Sequence, residues 1–285
     1  MLIKNYKINN FVLGTLKRFN LKTRVGLNNK TGEDCLILGN VKNFLGENID
    51  KNEELLSFGV VKNGSSKHIT QEDVGDSFKE ELIYEFALVP TKLNSETKEK
   101  DIEIDKQELK QWCSEQDHYV EYYNDNTSAG VLYNVVPQNH KELFTSSCVI
   151  IQSPKVFLTD DINTYIQFIN YSSDFAYNTH ATLKCKLLNE NGDKIIGWDE
   201  IVPPNGMSFV DVKKVFMMYM LKYKDFGNFF QFQAVSDNFV IPLFINRNNK
   251  YNTYSLEHSL PPVAYDSNCY GQHKVDVVRC HLENW

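Results

Sequence analysis

This sequence of 285 residues contains little arginine. It has no apolar run of membrane-spanning length and no N-terminal leader pattern. The formal net charge is −7, and only four of the 30 basic residues are arginine, namely Arg18, Arg24, Arg247 and Arg279. A chain without a cationic excess is poorly suited to neutralising phosphates, so nucleic acid is not an expected partner. Because the sequence shows no long apolar run and no signal-peptide pattern, we expect a soluble cytoplasmic protein without a membrane span.

Common catalytic and cofactor motifs are lacking as well. The chain has no HExxH, P-loop, GxGxxG or GxSxG pattern, and we therefore expect no cofactor and no metal. Its six cysteines are scattered rather than clustered in a disulfide framework. Near the C-terminus, Cys269, His273, Cys280 and His281 leave two alternatives open beside ordinary packing. One is a metal site, whose spacing does not match paired zinc ligands, and the other is a Cys269–Cys280 disulfide.

Alternation of apolar and polar residues dominates the chain and predicts β-strands. Residues 180–187 alternate in this way, and the following Asn191-Gly192 pair predicts a tight hairpin turn. A second hairpin is expected from segments 229–235 and 239–245, with Pro242 placing its strand at a sheet edge or a bulge. Further strands are predicted at RVGL, CLILG, LSFGVV, LIYEFALV and TYIQFI.

Two stretches change to helical spacing. The sequence DVKKVFMMYMLK places five apolar residues on one stripe, which predicts a short helix with a Met-rich face in the core. The sequence DKQELKQWCSEQDHYVEYY has apolar residues from Leu109 to Tyr123 on one face and predicts a second helix. The highly charged segment 94–106 precedes it, and this suits an exposed excursion from a β domain.

Many short strands, two short helices and no βαβ rhythm predict a mainly β protein of two β-sandwiches in tandem. The pattern of residues 155–262 resembles Ig-like or jelly-roll sandwiches. We expect an N-terminal sandwich over residues 1–147, with a charged and helical insertion at about 94–123. The C-terminal sandwich and a terminal strand then occupy residues 148–285.

Two short matches indicate an internal repeat. Residues 23–31 resemble residues 164–172, since both have the form of a strand followed by an Asn-x-[ST] turn. LYNVVP at 132–137 aligns with LEHSLP at 256–261. The offset falls from 141 to 124 residues between the two matches, so the first copy is the longer one.

The segment 251–268 collects the residue types most suited to a functional site. Glu257, His258 and Asp266 are candidate catalytic residues, because carboxylates and imidazoles serve as acids, bases and metal ligands. Neighbours on a regular strand point to opposite faces, however, which separates Glu257 from His258. The candidate ligand-binding residues are Tyr254, Tyr265 and Arg247.

These observations favour a non-catalytic binding or assembly protein with a carbohydrate or protein ligand, and a homo-oligomer is one expected form. The alternative is an enzyme with an inter-domain pocket that uses His258 and the nearby Glu, Tyr and Asp residues, with or without a metal. A viral or phage structural subunit is the second alternative.

Overall fold

The described residues fold into four antiparallel β-sheets that pack as two face-to-face pairs. The predicted mainly β architecture of sandwich domains is therefore confirmed. No helix in the parts of the chain that the structure describes is long and apolar enough to cross a membrane. The computed structural model describes residues 11–30, 32–48, 56–74, 81–91, 118–133, 149–171, 177–238, 240–258 and 263–264.

The first sandwich consists of two four-stranded sheets, with strand orders β1-β6-β3-β4 and β5-β2-β7-β8. A 3-10 turn at Lys17–Phe19 follows β1, and a short helix α1 at Gln71–Val74 follows β5. The strands are β1 Phe11–Gly14, β2 Lys22–Asn28, β3 Cys35–Asn43, β4 Leu56–Val61, β5 Ser66–Thr70, β6 Leu82–Pro90, β7 His118–Tyr123 and β8 Ser128–Tyr133.

The second sandwich consists of a five-stranded sheet, β12-β11-β14-β9-β17, and a four-stranded sheet, β13-β10-β15-β16. Helix α2 at Val212–Met218 follows β13, and a 3-10 turn at Tyr223–Asp225 precedes β14. The strands are β9 Val149–Phe157, β10 Ile162–Ile169, β11 Ala181–Leu188, β12 Lys194–Val202, β13 Met207–Asp211, β14 Phe229–Ser236, β15 Ile241–Asn248, β16 Thr253–His258 and β17 Val263–Ala264.

The sheet β13-β10-β15-β16 is covered on both faces. Its inner face, with Phe168 and Phe244, packs in the core of the second sandwich, and Phe232 of the opposite sheet contacts both rings. Its outer face contributes Leu243 and Ile245 to the core of the first sandwich. Because successive strand residues point to opposite faces, a nearly continuous apolar run such as that of β15 suits a strand buried on both sides. This outer face joins the two sandwiches.

The internal repeat predicted from the sequence is present in the structure. Strands β2, β7 and β8 of the first half take the same positions in their sheet as β10, β15 and β16 of the second, and the other strands correspond in the same way. Asn29 and Asn170, which are 141 residues apart, are both fully buried at equivalent strand ends. Each side-chain amide donates to the end of the equivalent strand, Asn29 to Val61 O at 3.0 Å and Asn170 to Val202 O at 3.2 Å.

The hairpin around Asn191-Gly192 is confirmed, because β11 and β12 pair through the predicted turn. Gly192 has a φ of 86°, which is the left-handed conformation that such turns require. The second predicted hairpin is wrong. Strands β14 and β15 belong to different sheets, and β14 already has β11 and β9 as its two neighbours. The turn between β14 and β15 therefore crosses from one sheet to the other.

The sequence predicted an edge strand or a bulge at Pro242, and the structure shows neither. Strand β15 lies between β10 and β16, and its described pairing with β10 has no register shift. Pro242 is the second residue of β15 and pairs with Phe168 of β10. The described pairing with β16 extends only from Leu243 to Asn248. A proline close to the beginning of a strand interrupts few ladder hydrogen bonds, which is where prolines are tolerated.

The helix predicted to reach Tyr123 is wrong over its last turn and a half. Residues His118–Tyr123 form strand β7, which pairs with both β2 and β8. The segment HYVEYY is rich in aromatic and β-branched residues, and Val120 and Tyr122 are buried in the core while Tyr119 is exposed. The rest of that predicted helix and the predicted boundary at 147/148 lie outside the described residues and stay predictions.

Helix α2 is confirmed, but it is shorter than its predicted apolar stripe. It begins at the N-cap Asp211, whose carboxylate accepts a hydrogen bond from Lys214 N at 3.3 Å. Val215 and Phe216 are buried, whereas Met220, with a φ of 57°, lies beyond the helix end and is exposed. The predicted stripe is therefore buried over Val212, Val215 and Phe216 but exposed at Tyr219 and Met220, because the chain turns away after about two helical turns.

Candidate ligand-binding cleft

A cleft with a volume of about 610 Å³ lies where the first sandwich meets the second. We call it the junction cleft. The 3-10 turn Lys17–Phe19 forms one wall, and the outer face of β10, β13 and β15 forms the floor. The edge strand β12 and helix α2 close the other side. Clefts of 300–1,000 Å³ that contain apolar rings and a few polar groups are the usual form of small-molecule sites.

Phe19 anchors the first sandwich to the floor of the junction cleft. Its ring centroid lies 4.8 Å from Tyr165, 5.5 Å from Phe209 and 5.6 Å from Tyr254, all on the outer face of the second sandwich's sheet. The Tyr254 hydroxyl also donates to Phe19 O at 3.1 Å. Because Phe19 is only 5% exposed, this aromatic cluster is the interior of the junction and holds the cleft walls in place.

Three other rings lining the junction cleft keep accessible surface. Tyr219 is 48% exposed, and its hydroxyl donates to Gly197 O of β12 at 2.8 Å. Trp198 and Phe209 are half-buried. The guanidinium of Arg18 lies 3.6 Å from the centroid of Phe209 and covers part of that ring. Since each ring is held by a hydrogen bond or by packing, the aromatic surface of the cleft is arranged before a ligand arrives.

Arg247 is half-buried on β15 and lines the junction cleft. It pairs in register with Asn163 of β10 and with Tyr254 of β16. Its guanidinium carbon lies 5.6 Å from the Phe19 centroid and 5.8 Å from the Tyr254 centroid. Stacking on two rings positions the guanidinium without neutralising its charge.

Three carboxylates reach the junction cleft, and their environments differ. Asp211 accepts hydrogen bonds from Lys214 N at the start of α2 and from Asn163 Nδ2 at 2.8 Å. Asp199 is exposed on β12. Glu200 pairs with the buried Leu183 and so lies on the inner side of the edge strand. Burial raises the pKa of Glu200, and the nearby Ser208 hydroxyl opposes part of that rise.

The sequence-predicted site residues are only partly brought together. Arg247 lines the junction cleft, and Tyr254 lies beside it in the aromatic cluster. Glu257 pairs with Phe244 and His258 with Leu243, which places these two positions on opposite faces of the sheet. Glu257 does not line the junction cleft. Tyr265 and Asp266 lie outside the described residues, as do the four C-terminal Cys and His residues.

Sequence reasoning missed most of the residues that line the junction cleft. Trp198, Glu200 and Asp211 come from the edges of two different sheets, and Arg18 comes from the other sandwich. One local signal was present, namely the consecutive aromatic and acidic residues of Trp198-Asp199-Glu200 on a strand followed by Pro203-Pro204. The sequence does not show which sheet edges lie next to each other. This local signal therefore could not be connected with the other residues of the cleft.

A second, more apolar groove of about 800 Å³ adjoins the junction cleft and shares Arg18 and Phe209 with it. Phe44, Leu45 and Ile201 line it and are 48%, 48% and 62% exposed. The β3 side of this groove is fixed to the second sandwich, because Met207 N donates to Phe44 O at 2.9 Å. The stacked Arg18 and Phe209 side chains separate the two depressions.

No protein-family model matches the chain, and no curated protein matches it. Among solved structures, the chain is similar to a β-glucuronidase of Bacteroides uniformis, with 9% identity, a TM-score of 0.23 and coverage of 87% of this chain and 25% of that one. It is also similar to a glycosyl hydrolase family 2 member from Bacteroides cellulosilyticus, with 9% identity, a TM-score of 0.20 and coverage of 90% and 28%.

The chain thus spans about a quarter of the length of these structures. At such TM-scores the likeness supports no conclusion about family or activity.

Proposed function

We propose that this protein is a non-catalytic carbohydrate-binding protein and that the junction cleft is its binding site. The observation that carries the proposal is the set of held, partly exposed rings, Trp198, Phe209 and Tyr219, beside Arg247 and Asp211 in one cleft of about 610 Å³. A pyranose has an apolar face of C–H groups that stacks on an aromatic ring. Its hydroxyls donate to carboxylates and accept from guanidinium groups, and both partners are present.

The proposal is tested by measuring saccharide binding to the full chain and to a Tyr219→Ala variant, by calorimetry or NMR titration. Tyr219 is exposed enough for its loss to spare the fold. Loss of one stacked ring costs about 1 kcal/mol of binding free energy, so the dissociation constant should rise roughly fivefold. The matched control is Tyr251→Ala, which removes a tyrosine that is 62% exposed and lies outside the junction cleft.

Two results would refute the proposal. The first is the absence of binding across a broad panel of soluble oligosaccharides at millimolar concentration. The second is an equal effect of Tyr219→Ala and Tyr251→Ala on every saccharide that binds. A Tyr219→Phe variant, which keeps the ring but loses the hydrogen bond to Gly197 O, should retain most of the affinity.

Glu200 favours a second candidate function, a glycoside-cleaving enzyme. Burial raises the pKa of Glu200, which is the direction of shift that favours a general acid, and Asp211 supplies a second carboxylate in the same cleft. Two results together would establish the glycoside-cleaving function in place of the non-catalytic one. The wild type would release the aglycone from aryl glycosides, and Glu200→Gln would lose this activity but still bind saccharides.

A further inference from the structure

Arg247 differs from the other described arginines in having no carboxylate partner. Arg18 Nε lies 2.6 Å from Glu81 Oε1, and Arg24 Nε lies 2.6 Å from Glu121 Oε2. Arg247 forms no ion pair with a described residue, and its buried Nε has no hydrogen-bond acceptor among them. Two of the described arginines line the junction cleft. Arg18 is paired with Glu81, whereas the Nε of Arg247 has no acceptor among the described residues.

An unpaired, half-buried guanidinium is unfavourable unless a ligand satisfies it. Arg247 offers a planar set of N–H donors that matches the two oxygens of a carboxylate. The stacking on Phe19 and Tyr254 limits its orientation, so a carboxylate would find the donors already positioned. Lysine would not give the same arrangement, because its ammonium is a point charge on a flexible stem.

The neighbour of Arg247 on β10, Asn163, has an unused acceptor. Asn163 is 3% exposed, and its Nδ2 donates to Asp211 at 2.8 Å. Its Oδ1 is buried and has no donor within the described residues. Arg247 and Asn163 pair directly across adjacent strands, so an unused donor and an unused acceptor lie side by side beneath the junction cleft.

The carboxylates of the junction cleft do not occupy Arg247. Asp211 is on β13, two strands away from β15, and is hydrogen-bonded to Asn163 and to the start of α2. Asp199 is exposed on the far wall, and Glu200 lies on the inner side of the edge strand β12. The exposed cation Lys214 also lines the cleft and adds to its positive charge.

We infer that the saccharide bound in the junction cleft is an acidic one, whose carboxylate is held by Arg247. The inference rests on the proposed carbohydrate-binding function and narrows its ligand to sugar acids, such as the uronic acids of acidic polysaccharides. No bond is formed or broken, and recognition consists of charge-assisted hydrogen bonds.

The test compares matched saccharides on the purified full chain. The probes are unsulfated oligomers of galacturonate, mannuronate or glucuronate and the neutral carboxyl-reduced form of each. Charge-assisted hydrogen bonds form between Arg247 and the ligand carboxylate in this account. We therefore expect the wild type to bind at least one acid about 10- to 100-fold more tightly than its reduced form. Arg247→Gln should remove that preference, whereas the control Arg24→Gln, in the first sandwich, should retain it.

Arg247→Lys provides a second variant that keeps the positive charge. Arg247→Lys should lose most of the preference for the acid, because lysine cannot donate to both carboxylate oxygens in the planar arrangement of arginine. This variant also tests the inference if Arg247→Gln does not fold. Sulfated oligomers are tested separately. If only sulfated ligands bind, the inference that Arg247 holds a carboxylate is wrong.

The failure of this inference is distinguishable from the failure of the proposed function. Equal binding of acidic and reduced saccharides, both weakened by Tyr219→Ala, would overturn the sugar-acid inference and leave carbohydrate binding intact. The absence of binding by every saccharide, acidic and neutral, would overturn both.

Discussion

Replacing Phe19 by alanine tests whether the junction between the two sandwiches is part of the folded core. The Phe19 side chain is 5% exposed and contacts three rings of the second sandwich with centroid distances of 4.8–5.6 Å. Truncation of a buried phenylalanine costs about 3–5 kcal/mol, through lost transfer free energy and the cavity left behind. We expect the free energy of unfolding of Phe19→Ala to fall by about 3 kcal/mol, since the junction can partly collapse.

The measurement is urea unfolding monitored by tryptophan fluorescence, for which Trp198 in the junction cleft is a local probe. Phe19→Leu serves as the control, because it keeps most of the apolar contact and should cost less than about 1.5 kcal/mol. Phe19→Ala should also weaken saccharide binding, because Arg247 loses one of its two stacking rings. A loss of stability below about 1 kcal/mol with unchanged binding would refute the account of the junction.

Two further predictions concern single buried polar groups. Glu200→Gln should become more stable relative to the wild type as the pH rises from 4 to 7. Burial raises the pKa of Glu200 in the folded protein above its ordinary value of 4.5. The contribution of Glu200 to stability is therefore complete below pH 4.5 and is lost as the pH rises through the pKa of the folded state. Melting temperatures of the wild type and Glu200→Gln that change in parallel with pH would contradict this. Asn29→Ala and Asn170→Ala should each lower the free energy of unfolding by about 1–3 kcal/mol, because each leaves a buried strand-end carbonyl without its donor. Chemical denaturation of both variants checks the repeat, which predicts similar losses, and a large loss in only one of them would count against equivalent roles.

Much of the strand pattern could be predicted from the sequence, because local signals determined it. The β11–β12 hairpin follows from alternation and from a turn sequence that accepts positive φ at Gly192. The internal repeat was visible at Asn29 and Asn170 because these buried asparagines bond equivalent strand ends and so occur at a fixed spacing. The hairpin depends on residues that are close in the chain. The repeat is visible because both halves need a buried asparagine at the same strand end.

The features that the sequence did not predict depend on partners chosen in three dimensions. Strands β14 and β15 have the alternation of a hairpin, but each finds its neighbours in a different sheet. The junction cleft combines Arg18 with Arg247, which are 229 residues apart. Arg247 was predicted as a ligand-binding residue from its residue type and neighbourhood, whereas Trp198, Asp211 and Tyr219 were not, since only the packing of β12 against α2 brings them together.

The most direct test of the central claim is a crystal structure of the full chain with a saccharide that binds in solution. The account predicts a sugar ring in the junction cleft, stacked on Tyr219, Phe209 or Trp198, with a ligand oxygen within hydrogen-bond distance of Arg247. A saccharide bound elsewhere on the protein, with the junction cleft filled by water alone, would contradict it.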